Sequence, residues 1–253
     1  MSDPLPSPAA SPAPVAPEPS GGFFQNLLDV YFAPREAFTR ICRRPAFLVP
    51  AILVMAFAIG FFAVWVQKVD AKAFMQAQIE ESPFASRIPA DQRADIIEQQ
   101  AAGLAKWGWI NVAVFTPLMI LVVAGVLHFV YRFFYASEST FKQALAITSW
   151  VFFAMGLLTQ PLTLAVMALK GDWNIDPRNA LQANLGILLD QSTAAKTLWA
   201  LLSSIDLFSM WTVFLLAVGF AVASRKTTAA ALWGVGICWV LIILGKVGWA
   251  AIF

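Results

Sequence analysis

Five long apolar runs decide most of what this chain can fold into. They fall at about residues 46–66, 107–131, 144–169, 198–223 and 229–253. A hydrocarbon core about 30 Å thick takes about 20 helical residues to cross, and each run meets that length. Lipid offers no water to backbone amides and carbonyls, so each run is expected to be an α-helix. The expected fold class is all-α: a polytopic membrane protein with a five-helix transmembrane bundle and N-terminal interfacial amphipathic helices. Composition agrees. Charged residues make up only 13% of the 253 and hydrophobic ones 59%, with mean hydropathy +0.70. A soluble domain carries roughly 25% charged residues, so lipid must cover much of this surface.

The same composition narrows function. A net charge of +2 is too small to draw in nucleic acid. The single histidine, His128, excludes metal sites built from several histidines. GxxxxGK[ST], GxGxxG, GxSxG, HExxH and CxxC are all absent. No catalytic residue, cofactor site or metal ligand is nominated, and the chain is not expected to be an enzyme. Cys42 precedes the first run and Cys238 lies inside the last, so both read as free buried thiols.

The chain divides into a tail at 1–22, an amphipathic segment at 23–44 and a five-span domain at 45–253. The tail, rich in Pro and Ala, cannot bury enough apolar surface to offset its chain entropy and is expected to be disordered. It does not read as a signal peptide, because the first basic residue is Arg35. In the next segment Phe23, Phe24, Leu27, Leu28, Tyr31 and Phe32 recur at helical spacing, and Pro34 suits the first position of a second helix. Phe38 and Ile41 share one face of that second helix, with Arg35, Arg40 and Arg43 largely elsewhere. Two readings stay open: a helix lying in the membrane interface, or one packed on the protein's own helix ends. Between the first two spans, residues 90–106 have polar helical character after Pro89.

Orientation follows from basic residues near span ends. With the N-terminus in the cytoplasm, eight fall inside (Arg35, Arg40, Arg43, Arg44, Arg132, Lys142, Arg225, Lys226) and eight outside. Density decides: the inside ones crowd short segments, while the outside ones are diluted over two long loops. The expected address is the cell's inner membrane, with the N-terminus cytoplasmic and the C-terminus extracytoplasmic.

Two charges fall inside the expected spans, Asp206 in the fourth and Lys246 in the fifth. Charge within a membrane is costly, so such residues are usually paired or functional. Each lies 20 residues from Lys226 in the turn between those spans, so both sit at similar depth. The expectation is a structural ion pair between Asp206 and Lys246. The alternatives are a proton or ion relay, or a Lys246 that snorkels to the outer interface. Pro117 and Pro161 lie within the second and third spans, where each is expected to bend its helix. Small residues at Ala56/Gly60, Gly219/Ala223 and Ala230/Gly234 would permit close helix contact. His128, beside Tyr131 and Arg132, reads as an interfacial histidine.

These segments resemble a known family. YFAPREAFTRICRRP before the first span, FKQALAITSW at the start of the third, and IDLFSMWTVFLLAVGFAVASRKTTAAAL over the fourth span and its turn are similar to bacterial Yip-domain (Ypt/Rab-interacting protein) membrane proteins. The resemblance runs over about residues 23–253 and implies five spans. It also implies that Pro34, Phe38, Asp206, Phe208, Trp211 and Gly219 are structural signature residues. Eukaryotic relatives are non-enzymatic proteins of the early secretory pathway that interact with Rab-type GTPases and shape membranes. Rab binding is not carried over, because the Pro/Ala-rich tail here departs from theirs. The resulting expectation is a membrane-organising or partner-binding scaffold. Its partners would be the lipid bilayer and a protein at the cytoplasmic face, with no nucleic acid and with a homo-oligomer left open. The alternative is a small transporter or lipid-handling protein using Asp206 and the proline-bent helices.

Overall fold

The computed structural model describes residues 21–80, 82, 87–181, 183–189 and 195–252. Most of the expected disordered tail lies outside the described residues. The described elements run in chain order as α1 (Phe23–Phe32), α2 (Pro34–Arg43), α3 (Leu48–Val66), α4 (Ala71–Glu80), α5 (Ala90–Phe134), α6 (Phe141–Lys170), α7 (Pro177–Ala180), α8 (Lys196–Leu202), α9 (Leu207–Ser224) and α10 (Thr228–Ile252). A short 3-10 turn, Leu185–Leu188, sits between α7 and α8. Five of these helices, α3, α5, α6, α9 and α10, are long and apolar enough to cross a membrane. Among the described residues there is no β-strand beyond one isolated antiparallel bridge, Asn184 with Asp206.

Helix α6 is the hub, packing against α1, α2, α3, α5 and α9. Within its first half, Ala144–Val151 is buried without interruption. A capping box starts it: Thr140 Oγ1 accepts from Gln143 N at 3.2 Å, and Thr140 N donates back to Gln143 Oε1 at 2.9 Å. Gly171 ends it with φ +64°, the left-handed turn that relieves the last carbonyls. Helix α10 packs mainly on α9 and α8 and meets α5 over a shorter stretch. There the Tyr131 hydroxyl donates to the Ala231 carbonyl, and the Tyr131 ring lies against Gly234. The outward faces carry exposed apolar side chains, among them Phe115, Leu118, Leu121 and Phe129 on α5 and Ile237, Leu241 and Leu244 on α10. This is the surface that the low charge content requires lipid to cover.

The five long helices overlap the five apolar runs, and two of them depart from the bounds of those runs. Residues 90–106, expected to be polar and helical within the long loop, are helical and run on into the second apolar run as one 45-residue helix. The fourth apolar run is not one helix. Helix α8 stops at Leu202, residues 203–206 turn, and α9 starts afresh at Leu207. The break is stable because its backbone is paired: Leu185 N donates to Ile205 O, and Leu207 N to Ala183 O, both at 3.2 Å. Pro117 and Pro161 lie inside helices that run through them without a break.

The two helices of 23–44 differ in how they pack. Helix α2 packs on the protein: Ala37, Phe38 and Ile41 are buried against α9 and α6. Helix α1 is two-faced. Its inner face places Phe23 on Trp150 and Val30 in the core, and the Tyr31 hydroxyl donates to the Ala154 carbonyl of α6. Its outer face presents Phe24, Leu28 and Phe32, four residues apart and 77%, 58% and 83% exposed. Arg40 holds the two helices together by pairing with Asp29 and donating from Nε to Asn26 Oδ1 at 2.9 Å.

Candidate functional site

A large polar cavity lies at the end of the bundle opposite α1 and α2. It has a volume of about 1080 Å³, and Asp206 and Lys246 both line it. Asp206 is the N-cap of α9, with its Oδ1 accepting from Ser209 N at 2.9 Å. An aspartate is suited to that position because its carboxylate satisfies an amide that has no helical partner. Lys246 Nζ donates to Ser204 Oγ at 2.8 Å. Matched depth therefore brings both charges to one cavity, as their spacing from Lys226 implies. The expected direct ion pair does not form, and among the described residues neither charge has an opposite charge within 4.0 Å. The reason is local: the chain turns at 203–206, so Asp206 stands at the mouth of a helix and Ser204 is presented to the ammonium.

Around this pair sit Gln78, Ser203, Trp199, Trp239 and Trp249. Arg178 also lines the cavity, but its charge is spent on Asp176, whose Oδ1 accepts from Arg178 Nε at 3.0 Å. Burial works to raise the Asp176 carboxyl. Its hydrogen bonds and charge contact with Arg178, together with Gln78, outweigh this and hold it below the ordinary value. A second cavity of about 470 Å³ adjoins the first through Arg178, Ser203, Asp206 and Ser209, and reaches α6 at Thr159, Gln160 and Thr163. Gln160 Oε1, next to Pro161, is buried there without a hydrogen-bond partner. The Thr159 hydroxyl donates to the Met155 carbonyl at 2.9 Å, so it does not serve the carbonyl freed by Pro161.

The remaining sequence candidates lie elsewhere. Pro34 opens α2, and Phe38 is wholly buried. Gly219 is where α2, α6 and α9 meet, since a Cβ there would lie 2.4 Å from Ile147 Cγ2 and 3.3 Å from Phe38 Cδ1. Phe208 packs against the core, and Trp211 stacks with Phe214 at 5.1 Å. Gly60 faces open space, so the close contact expected at Ala56/Gly60 is absent there, whereas Gly108 lies directly on the Phe62 ring. His128 lies edge-on to Phe141, with its Nδ1 buried and unbonded. Among the described residues no three of His, Cys, Asp and Glu converge on a metal site. Residue-by-residue reading missed Ser204 and Gln78. The Ser203-Ser204 pair inside an apolar run was the available signal for the break.

A family comparison covers most of this architecture, from within α1 to within α10. The Yip1 domain matches residues 28–249. No curated protein and no solved structure matches the chain. With five apolar helices in place and the match spanning most of its length, the chain belongs to the Yip1 domain family.

Proposed function

We propose that this protein is a non-enzymatic scaffold of the bacterial branch of its family. It resides in the inner membrane, with α1 and α2 on the cytoplasmic side, and it organises membrane and protein partners there. The supporting observation is the α1–α2 strap. One side is built into the bundle through Tyr31, Phe38 and Ile41, and the other carries the exposed stripe Phe24, Leu28 and Phe32. A helix anchored on one face and apolar on the other suits insertion into a bilayer interface. Exposed Arg43, Arg44, Arg132, Arg225 and Lys226 at the same end suit anionic headgroups or acidic partner surfaces.

The second reading, a transporter or lipid-handling protein, is favoured by one observation: Asp206 and the unbonded Gln160 Oε1 line a polar cavity beside Pro161. One experiment separates the two. Purified protein in liposomes is expected to move no ions, protons or labelled lipid. Robust flux that disappears in Asp206→Asn would overturn the scaffold reading. In vesicles of matched size, replacing Phe24, Leu28 and Phe32 together by Ser is expected to abolish vesicle remodelling while leaving the fold intact. Undiminished remodelling would remove α1 from the mechanism.

A further inference from the structure

The polar cavity at Asp206 and Lys246 does not end in polar surface. It continues toward the membrane centre as an apolar groove of about 300 Å³ between α5, α9 and α10. The two spaces share Ser209, Trp239 and Ile242 as walls. Below the junction the groove is lined by Val122 and Val126 of α5, Val213 and Leu216 of α9, and Cys238 of α10. Its floor lies toward the point where Tyr131 and Gly234 bring α5 and α10 together. A space that is apolar at one end and charged at the other has the shape and polarity of one amphiphile.

The charged end limits which amphiphile. Asp206 and Lys246 stand on one cavity wall without pairing to each other, and Arg178 is neutralised by Asp176. Asp206 Oδ2 has no hydrogen-bond partner among the described residues. Asp206 is half-buried and Lys246 exposed, so the open carboxylate oxygen and the ammonium can both reach a ligand in the cavity, where opposite charges would strengthen their hydrogen bonds. A headgroup carrying both a phosphate and an ammonium supplies both. The ammonium must donate hydrogen bonds to answer the open carboxylate oxygen, which favours a primary amine over a quaternary one.

We propose that this groove and cavity form a binding site for a zwitterionic phospholipid with a primary-ammonium headgroup. One acyl chain lies between α5 and α10, the phosphate is on Lys246 and Ser204, and the ammonium is on Asp206. Binding here requires no transport, so the site is independent of the scaffold reading. Its failure would leave that reading untouched.

The test is native mass spectrometry of the full-length protein in detergent, offered equal amounts of phosphatidylethanolamine, phosphatidylcholine and phosphatidylglycerol with matched chains. The wild type is expected to hold phosphatidylethanolamine in preference to the other two. Asp206→Asn keeps the helix cap, because asparagine caps as well as aspartate. It should nonetheless lower the preference over phosphatidylcholine roughly tenfold, the worth of one charge-assisted hydrogen bond. Lys246→Met should weaken all three lipids, and so should Val213→Trp, which fills the groove. Circular dichroism confirms that each variant is folded. Equal adducts of all three lipids in the wild type would overturn the proposal, as would a phosphatidylglycerol preference. Retention unchanged in both Asp206→Asn and Val213→Trp would do the same. Competition by soluble phosphoethanolamine as effective as by the whole lipid would reassign the site to a free headgroup and sink the lipid assignment.

Discussion

At Gly219 the family pattern and the packing meet at a single atom. A Cβ built there would lie 2.4 Å from Ile147 Cγ2, and both Ile147 and Phe38 are fully buried. The position takes glycine because three helices converge on it, and its backbone needs no unusual φ. Gly219→Leu is therefore expected to overpack the junction and cost about 1–3 kcal/mol. A fall in detergent melting temperature would show this, with Gly60→Ala as the control, since nothing lies within 4 Å of Gly60. Phe38→Ala, which empties the other side of the junction, should cost about 3–5 kcal/mol. An unchanged melting temperature in either would mean that α2 is not part of the bundle's core. Cys42 gives a chemical readout of the same junction. Burial pushes its thiol up to about 12, so at pH 8 it stays a thiol and not the nucleophilic thiolate. Alkylation by iodoacetamide should be slow in the folded protein and fast after denaturation. Pro34, Phe38 and Gly219 were each legible in the sequence as pattern, but their contact was not. No local spacing says that residues 38, 147 and 219 share one point, because that depends on how α2, α6 and α9 cross.

At the scale of elements, the spans were legible and their ends were not. Hydropathy reports how much of the chain lies in lipid, and it falls silent where a helix continues into water. Residues 90–106 and the second apolar run are one helix for this reason, although their compositions differ sharply. The converse error fell at 198–223, where unbroken apolarity concealed a break. Asp206 reads as an intramembrane charge only if the helix starts before it; once α9 starts at Leu207, the same residue is a cap. This yields a sharp contrast between two substitutions. Asp206→Ala should destabilise the protein by about 1 kcal/mol through loss of the cap, while Asp206→Asn should change stability by only a few tenths. Equal losses would mean that the negative charge, and not the cap, holds α9. The connection before α8 has its own signature. Asp176 is held below the ordinary carboxyl value, so it binds fewer protons folded than unfolded at acid pH. Its contribution is present above the unfolded value of about 4 and is lost as pH falls through the folded one. Arg178→Met removes the hydrogen bonds that cause the depression. It should flatten the fall in melting temperature on acidification; a fall as steep as in the wild type would assign the acid sensitivity elsewhere.

For the whole molecule, the two ends of the bundle differ in kind, and this difference supports the orientation we propose. One end holds short connections with exposed cations: Arg43 and Arg44 after α2, Arg132 and Lys142 around the α5–α6 turn, and Arg225 and Lys226 in the α9–α10 turn. The other end holds α4, the water-facing start of α5, the short helices α7 and α8, and the cavity at Asp206. Cations packed near span ends resist translocation, whereas charges dispersed in long loops translocate with little penalty. The short-turn end should therefore face the cytoplasm. A direct check uses a variant with Cys42 and Cys238 replaced by Ala, carrying one cysteine at either Glu138 or Asp172; both positions are exposed, and they lie at opposite ends of α6. In intact cells made permeable only at the outer envelope, a membrane-impermeant maleimide is expected to label the Asp172 variant and spare the Glu138 one, with both labelled after lysis. The reverse pattern would turn the molecule over. It would place the α1 stripe on the outer surface and the cavity at Asp206 and Lys246 in the cytoplasmic leaflet, so the phospholipid there would be drawn from the opposite side of the membrane.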